Sequence, residues 1–227
     1  MSPFRSQRDK EPKPAPKPGT ITEIRPQQRD DTRVNVFIDG DFAFGLHIDL
    51  QLEHGLKKGD VLDEEAIALL LRQDEAKKAI ARALNLIAYR PRAAGELATK
   101  LREKGFSPDA VEAAVARMTD LGYLDDRDFA DRWVESRQSG RPRSVRMLKQ
   151  ELRQKGVDRE IVESAVENAG IDEFGDALEL ARKRATSMTG LDPITRERRL
   201  GGYLARRGYG FDIIRRVLEQ LESDPEP

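Results

Sequence analysis

The sequence predicts a mainly α-helical protein with three tandem three-helix repeats that form an elongated, curved body. The stretch RPRAAGELATKLREKG at residues 90–105 returns fifty-one residues later as RPRSVRMLKQELRQKG at residues 141–156, and Pro193 lies a further fifty-one residues along. Self-similarity at a fixed period is the signature of a repeat array whose units stack on their neighbours. The composition agrees, since 36% of the residues are charged and 38% are apolar, as in helical proteins with large solvated faces.

Two short segments precede the repeats. Residues 1–18 are rich in lysine, arginine and proline and almost free of apolar residues, which predicts a disordered basic tail. Residues 19–62 alternate apolar and polar residues on both sides of Asp39-Gly40, which predicts a β-hairpin. The apolar residues of this alternation are Val34, Val36, Ile38, Phe42, Phe44 and Leu46. Asp39-Gly40 favours a turn of two residues. A loop with an odd number of residues would be needed to place the apolar side chains of both strands on the same face of the hairpin, so the two signals conflict.

The sequence period changes to that of a helix after Asp63, and three helical units follow. We predict these units at residues 63–125, 126–170 and 171–222, with an acidic tail at residues 223–227. Leucines four residues apart mark the core face of the middle helix in each unit: Leu97 and Leu101, Leu148 and Leu152, and Leu200 and Leu204. The third helix of each unit has its own matching apolar positions, which are Val111, Val162 and Ile214, then Val115, Val166 and Leu218.

Both ends of the three middle helices carry recognisable signals. Pro91, Pro142 and Pro193 are predicted to lie in the first turn, where the missing N–H group of proline has no cost. Each helix is predicted to end at a basic residue followed by glycine, because the basic side chain favours the negative end of the helix dipole and glycine adopts the left-handed cap conformation. These pairs are Lys104-Gly105, Lys155-Gly156 and Arg207-Gly208.

The linker LGYLDDRDFADRW, residues 121–133, joins the first and second units. Gly122 is predicted to end one helix and Asp125 or Asp126 to cap the next, on which Phe129 and Trp133 share a face. The linker holds four aspartates, Asp125, Asp126, Asp128 and Asp131. We expect no metal here, because capping explains these carboxylates and the spacing of a calcium loop is missing.

The sequence predicts neither an enzyme nor a cofactor. It lacks the motifs of a phosphate-binding loop, a dinucleotide-binding turn, a zinc protease and a serine hydrolase, and its two histidines, His47 and His54, have no matched acid or nucleophile. The absence of cysteine excludes disulfides and zinc–thiolate sites. No apolar run approaches the roughly eighteen residues of a membrane span, and the N-terminus lacks the apolar core of a secretory signal. We therefore expect a cytoplasmic protein that does not bind membranes and, since no heptad seam is present, a monomer.

Charge is segregated along the chain although the formal net charge is only −1. Residues 182–216 contain ten basic and three acidic residues, whereas residues 158–179 contain one basic and eight acidic residues. In the second unit, helical geometry places four basic residues on an arc of about 120° beside the core leucines. This basic stripe consists of Arg143, Arg146, Lys149 and Arg153, and the equivalent first-unit residues are Arg92, Gly95, Ala98 and Arg102. The stripe is either a docking surface for a polyanion or an acidic partner, or a solvated face.

Three stretches of the chain resemble the RecX family of bacterial regulatory proteins. They are GYLDDRDFA at residues 122–130, SRQSGRPRSVRMLKQELRQKGV at residues 136–157 and YLARRGYGFDII at residues 203–214. Their order and spacing fit the family, and the resemblance covers most of residues 80–221. The chain departs from the family at Arg141-Pro142-Arg143-Ser144, which is more basic and stiffer than the glycine and aliphatic residue that the family often carries there.

The resemblance implies a non-enzymatic protein of three repeats and nine helices that binds RecA filaments on single-stranded DNA. It implies that the protein lies along the filament groove, bridges subunits and inhibits ATP hydrolysis, strand exchange and the co-protease activity that triggers the SOS response. By this analogy, the residues expected to contact RecA or DNA are Arg141, Arg143, Arg146, Lys149, Arg153, Lys155, Arg198, Arg199, Arg206 and Arg207.

The main alternative is a helical-repeat protein that binds DNA directly, through phosphates and without reading sequence. Tight binding in the absence of the filament, with a steep dependence on salt, would mark this alternative. A sequence-specific transcription factor is disfavoured because no base-reading helix or dimerisation element can be identified. An enzyme of an unfamiliar type is the least favoured class.

Overall fold

The computed structural model describes residues 16–223, which form two compact units. The first unit contains the described residues up to Ala81 together with Phe106–Ala114. The second contains Arg82–Gly105 and the described residues from Val115 onward. The predicted basic tail at residues 1–18 lies outside the described residues except for its last three, and the predicted acidic tail lies outside them except for Ser223. No helix among residues 16–223 is long and apolar enough to cross a membrane.

The first unit contains a four-stranded antiparallel sheet, which has two more strands than the predicted hairpin. The strands are β1 (Gly19–Gln27), β2 (Asp30–Ile38), β3 (Asp41–His47) and β4 (Val61–Leu62), in the spatial order β3-β2-β1-β4. A short helix, α1 (Ile48–Glu53), lies between β3 and β4 in the chain. Ile67 and Leu70 of the following helix, α2 (Glu64–Tyr89), belong to the same buried cluster as the inner residues of the sheet.

The turn between β2 and β3 has two residues, as the Asp-Gly sequence favours. Ile38 pairs with Asp41 across it, and Asp39 and Gly40 have φ values of 50° and 93°. Positive φ at both central residues is the requirement of a type I′ turn, whose twist matches that of the flanking strands.

A β-bulge beside this turn reconciles its length with the apolar pattern. Phe37 pairs with Phe42 but Val36 pairs with Phe44, so Ala43 is the extra residue on β3. The bulge brings the inner residues of both strands to one buried face, which holds Val34, Val36, Ile38, Phe44 and Leu46. Phe42 precedes the bulge and remains 45% exposed, so the expectation that it shares this face is wrong.

Asp74 of α2 joins the helix to the sheet. Its side chain is buried and accepts hydrogen bonds from Arg33 Nη2 at 2.9 Å and from the backbone N–H of His47 at 2.8 Å. Lys78 Nζ, one helical turn further along α2, lies 2.6 Å from the same carboxylate. Burial acts to raise the pKa of Asp74, but the hydrogen bonds from Arg33 and Lys78 outweigh it, and the pKa lies below its usual value.

Three helices occur in each predicted repeat. Those of repeat 1 are α2, α3 (Ala94–Arg102) and α4 (Pro108–Asp120), and α2 and α4 each contribute residues to both compact units. Those of repeat 2 are α5 (Asp126–Gln138), α6 (Val145–Gln154) and α7 (Arg159–Asn168). Those of repeat 3 are α8 (Glu173–Ala185), α9 (Pro193–Ala205) and α10 (Phe211–Ser223), with a 3₁₀ turn at Thr186–Met188. The six leucines predicted for the core of the middle helices, α3, α6 and α9, are all buried.

The glycine caps are confirmed, whereas the proline placement is correct in only one repeat. Gly105, Gly156 and Gly208 follow the three middle helices with φ of 86°, 77° and 89°, the left-handed conformation that favours glycine. Pro193 is the first residue of α9, but α3 and α6 begin at Ala94 and Val145, three residues after Pro91 and Pro142. In these two repeats the proline therefore precedes the helix instead of starting it.

Candidate functional site

Two consecutive acidic residues at the start of repeat 2 cap two different helices. Asp125 accepts hydrogen bonds from the backbone N–H groups of Arg127 and Asp128 in the first turn of its own helix, α5. Asp126 accepts one at 2.8 Å from the backbone N–H of Ala94, at the start of α3 in the preceding repeat. The pKa of Asp126 lies above its usual value, mainly because the carboxyl group is partly buried. The hydrogen bond from Ala94 acts to lower this pKa, and the nearby charge of Asp125 raises it further.

The start of repeat 3 has the same arrangement. Asp172 accepts a hydrogen bond from the backbone N–H of Gly175 in its own helix, α8. Glu173 accepts one at 2.9 Å from the backbone N–H of Val145, at the start of α6 in repeat 2. Each repeat after the first therefore supplies a carboxylate to the positive end of the middle helix before it, which accounts for both acidic pairs without a metal.

The capping glycine of one middle helix also packs against the start of the middle helix before it. A Cβ atom on Gly95 of α3 would lie 2.6 Å from Cα of Gly156, and one on Gly156 would lie 2.7 Å from Cα of Gly95. A Cβ on Gly208 would similarly lie 2.4 Å from Oγ of the buried Ser144 and 2.8 Å from Cβ of Met147. Gly95 corresponds to Arg146 in repeat 2, so this close contact explains why repeat 1 has glycine at that position of the basic stripe.

Glu151 of α6 connects the single tryptophan to two arginines. Its Oε2 atom accepts a hydrogen bond from Trp133 Nε1 at 3.0 Å and lies 3.3 Å from Arg137 Nε, while Oε1 pairs with Arg143. The guanidinium carbon of Arg137 also lies 3.9 Å from the centre of the Trp133 ring, and Phe129 stacks on the same ring at 5.8 Å. Trp133, Arg137 and Arg143 are therefore held as one cluster.

A second partly buried carboxylate, Glu96, joins repeats 1 and 2. Arg92 Nη1 lies 2.6 Å from its Oε1, Arg90 forms a further ion pair, and Lys155 Nζ from the end of α6 lies 3.3 Å from its Oε2. Burial acts to raise the pKa of Glu96, but the hydrogen bonds from Arg90 and Lys155 lower it overall. Lys155, a predicted contact residue, is thus part of an ion-pair cluster and lies 4.4 Å from the centre of the Trp133 ring.

The basic stripe of repeat 2 is partly neutralised within the chain. Lys149 and Arg153 both pair with Glu163 of α7, the latter at 2.8 Å, and the hydrogen bond from Lys149 lowers the pKa of Glu163 most. Arg146 donates a 3.4 Å hydrogen bond to the backbone oxygen of Gly208. Arg143 precedes α6 instead of lying on it. The four predicted residues therefore do not form one continuous free stripe.

Five arginines instead surround one cleft of about 380 Å³ between repeats 2 and 3. We call this the arginine cleft, and its basic residues are Arg137, Arg141, Arg143, Arg206 and Arg207. Arg137 and Arg143 share the carboxylate of Glu151. Among residues 16–223, no carboxylate lies within ion-pair distance of Arg141 or Arg206. Burial lowers the pKa of Arg143, and repulsion from Arg137 and Arg207 lowers it further.

A second basic cleft lies within repeat 3 and shares Arg206 with the first. We call it the repeat-3 cleft, and its basic residues are Arg184, Arg198, Arg199 and Arg206. Tyr203 also lines it, with the guanidinium carbons of Arg184 and Arg207 at 5.7 Å and 4.1 Å from its ring centre. Together the two clefts contain six of the ten predicted contact residues: Arg141, Arg143, Arg198, Arg199, Arg206 and Arg207.

Sequence reasoning missed Arg137, Arg184, Trp133 and Glu151 as members of the site. Trp133 and Arg137 are four residues apart on α5, a spacing that places two side chains on one face of a helix. That spacing could have identified the pair. The contribution of Glu151 depends on how α6 packs against α5, which the local sequence does not encode.

All four parts of the chain match families that describe RecX proteins. Residues 19–63 match the regulatory protein RecX N-terminal domain, and residues 79–118, 125–166 and 172–218 match the first, second and third three-helix domains of RecX. The last three matches confirm the three-helix repeats that the sequence predicts.

Whole-chain relatives give the same result. The chain is 30% identical over 213 residues to the regulatory protein RecX of Bacillus licheniformis, covering 90% of this chain and 78% of the relative. It is 31% identical over 205 residues to the regulatory protein RecX of Clostridium botulinum, covering 88% and 95%. A crystal structure of regulatory protein RecX superposes with a TM-score of 0.65 at 25% identity, covering 88% of this chain and 98% of the other. A crystal structure of RecX from Lactobacillus salivarius shares the fold with a TM-score of 0.56 at 24% identity, covering 66% and 99%.

Proposed function

Because this chain belongs to the RecX family of regulatory proteins, we propose that it binds RecA filaments on single-stranded DNA and inhibits RecA. The inhibited activities are ATP hydrolysis, strand exchange and the co-protease activity of the SOS response. The protein acts as a cytoplasmic monomer without chemistry of its own.

The arginine cleft is the observation that carries this proposal. Arg141 and Arg143 from repeat 2 face it together with Arg206 and Arg207 from repeat 3. A filament presents DNA phosphates and acidic side chains at regular intervals, and arginine binds both groups through paired hydrogen bonds. A cleft in which two of the five arginines, Arg141 and Arg206, have no carboxylate partner among the described residues is therefore suited to binding such a filament.

The predicted contact residues divide into two groups by their partners. Lys149 and Arg153 already pair with Glu163, and Lys155 pairs with Glu96. Binding a filament through these residues would first break ion pairs within the chain. Arg141 and Arg206 could bind the filament without breaking an ion pair, since no carboxylate among residues 16–223 pairs with them. We therefore propose that the clefts contribute more to filament binding than the stripe of α6.

Filament binding by two matched double variants tests this proposal. Arg141→Gln with Arg206→Gln removes two charges from the clefts, and Lys149→Gln with Arg153→Gln removes two charges from the stripe. The cleft variant should bind RecA filaments about tenfold or more weakly, because charge-assisted hydrogen bonds are lost. The stripe variant should lose about threefold or less. Co-sedimentation with RecA filaments measures both, and circular dichroism verifies that helix content is unchanged. A folded cleft variant with wild-type affinity would remove these residues from the contact surface.

Direct, sequence-independent binding to nucleic acid is the second candidate function. The repeat-3 cleft favours it, because Arg198 and Arg199 lie there beside the aromatic ring of Tyr203. Proteins that bind single strands commonly combine basic grooves with aromatic rings on which bases stack. Affinity for naked single-stranded DNA, measured over a range of salt concentrations without RecA, distinguishes the two. Naked-DNA affinity equal to filament affinity would favour this candidate.

A further inference from the structure

The arginine cleft holds more positive charge than the chain neutralises. Five arginines line it, and Glu151 is the carboxylate that pairs with two of them. The cluster therefore has a formal charge of +4. Like charges confined to one cleft repel each other, and a bound anion would remove this repulsion.

The crowding of the guanidinium groups also affects their ionisation. The pKa of Arg143 is lowered by burial and by repulsion from Arg137 and Arg207, so an anion among these three would stabilise their charged forms.

The size and charge of the cleft restrict the chemistry of the anion. Guanidinium groups match the oxygens of phosphate through two parallel hydrogen bonds. A volume of about 380 Å³ falls in the range of small-molecule sites. One phosphodiester of a nucleic-acid strand carries a single negative charge, which leaves most of the +4 unbalanced. A compact polyphosphate concentrates three or more negative charges in one small ligand and matches the cleft better.

We infer that the arginine cleft is a binding site for a compact polyphosphate anion, the chemistry that inorganic tripolyphosphate shares with the triphosphate of a nucleotide. Such a ligand would contact arginines from two repeats at once and so hold repeats 2 and 3 together. The site shares its arginines with the proposed filament contact, but polyphosphate binding can be measured in the absence of RecA and DNA.

Titration of the full chain with sodium tripolyphosphate at constant ionic strength tests the inference. Trp133 reports binding by its fluorescence, because it is the single tryptophan and Arg137 of the cleft lies 3.9 Å from its ring centre. Isothermal titration calorimetry gives the stoichiometry, expected to be one ligand per chain. Arg141→Gln with Arg206→Gln should weaken binding about tenfold or more.

A control variant removes the same amount of charge from elsewhere in the second unit. Arg132 and Arg159 are exposed and do not line the arginine cleft. Arg132→Gln with Arg159→Gln should therefore change the affinity less than about twofold. An equal loss of affinity in both double variants would mean that tripolyphosphate binding depends only on the net charge of the protein, and this result would overturn the proposed site.

ATP and an oligothymidylate, titrated in parallel, separate the possible sources of the phosphate. Equal affinities for tripolyphosphate and ATP would support a site for the polyphosphate group itself, and tighter binding of ATP would support one for a nucleotide. If tripolyphosphate does not bind while the oligothymidylate binds and is lost in the cleft variant, the cleft holds a nucleic-acid backbone and the inference is wrong. Since RecA is absent from every titration, failure here is distinct from failure of the proposed filament binding.

Discussion

The carboxylate of Asp126 accepts a hydrogen bond from the backbone N–H of Ala94 at 2.8 Å, although Asp126 lies in the repeat that follows. Glu173 and Val145 repeat this relationship at 2.9 Å between repeats 2 and 3. Helix capping, which is usually local, thus joins consecutive repeats here. It also helps to position the segments before α3 and α6 that carry Arg92 and Arg143.

Asp126→Ala should lower the free energy of unfolding by about 1 kcal/mol, because the first turn of α3 loses its acceptor. Asp126→Asn keeps an acceptor oxygen and should leave stability at pH 7 unchanged or slightly higher. The free energy of unfolding should not fall in this variant, because burial raises the pKa of Asp126 and the ionised carboxylate is therefore less favourable in the folded chain than in the unfolded chain. Urea denaturation at pH 7 measures both variants. Equal destabilisation by Ala and Asn would contradict the role of the hydrogen bond.

Gly95→Ala should destabilise the chain by about 2 kcal/mol although alanine is the better helix former. The added methyl group would lie 2.6 Å from Cα of Gly156, and backbone cannot move aside as a flexible side chain can. Gly140→Ala is the matched control, because no atom lies within 4 Å of the Cβ it would add. Thermal unfolding followed by circular dichroism compares the two, and the control should stay within about 0.5 kcal/mol of wild type.

Asp74→Asn should lower the stability of the first unit and change its dependence on pH. The loss at pH 7 should be about 3 kcal/mol, because Arg33 keeps its charge but loses an ionised partner. The pKa of Asp74 is depressed by Arg33 and Lys78, so its contribution is complete above its unfolded value of about 4 and is lost as pH falls through the folded value. Unfolding in urea between pH 2 and pH 7 measures this. The wild-type advantage should shrink below about pH 4, and an advantage that is constant with pH would contradict the assignment.

The features that the sequence predicted correctly depend on local chemistry. The buried leucines follow from helical spacing, and Gly105, Gly156 and Gly208 follow from the conformation that ends a helix. Asp125 caps its own helix for the same local reason. Each signal is complete within a few residues, so no tertiary information was needed.

The features that the sequence did not predict depend on contacts between distant segments. The bulge at Ala43 arises where the turn length and the buried face impose different registers on β3. The arginine cleft requires residues about sixty-five positions apart, such as Arg141 and Arg206, to face each other. The stripe on α6 loses its free charge because Glu163 lies on the adjacent helix α7. None of these partners can be identified from periodicity alone.

The most direct test of the central claim is the DNA-dependent ATPase rate of the cognate RecA on single-stranded DNA, titrated with this protein at fixed salt. Binding to naked DNA is measured in parallel. If the protein acts on the filament, the ATPase rate falls at protein concentrations too low to cover the DNA, and Arg141→Gln with Arg206→Gln shifts the inhibition curve to higher concentration. Inhibition that begins only as the DNA becomes covered, or no inhibition at all, would contradict the claim.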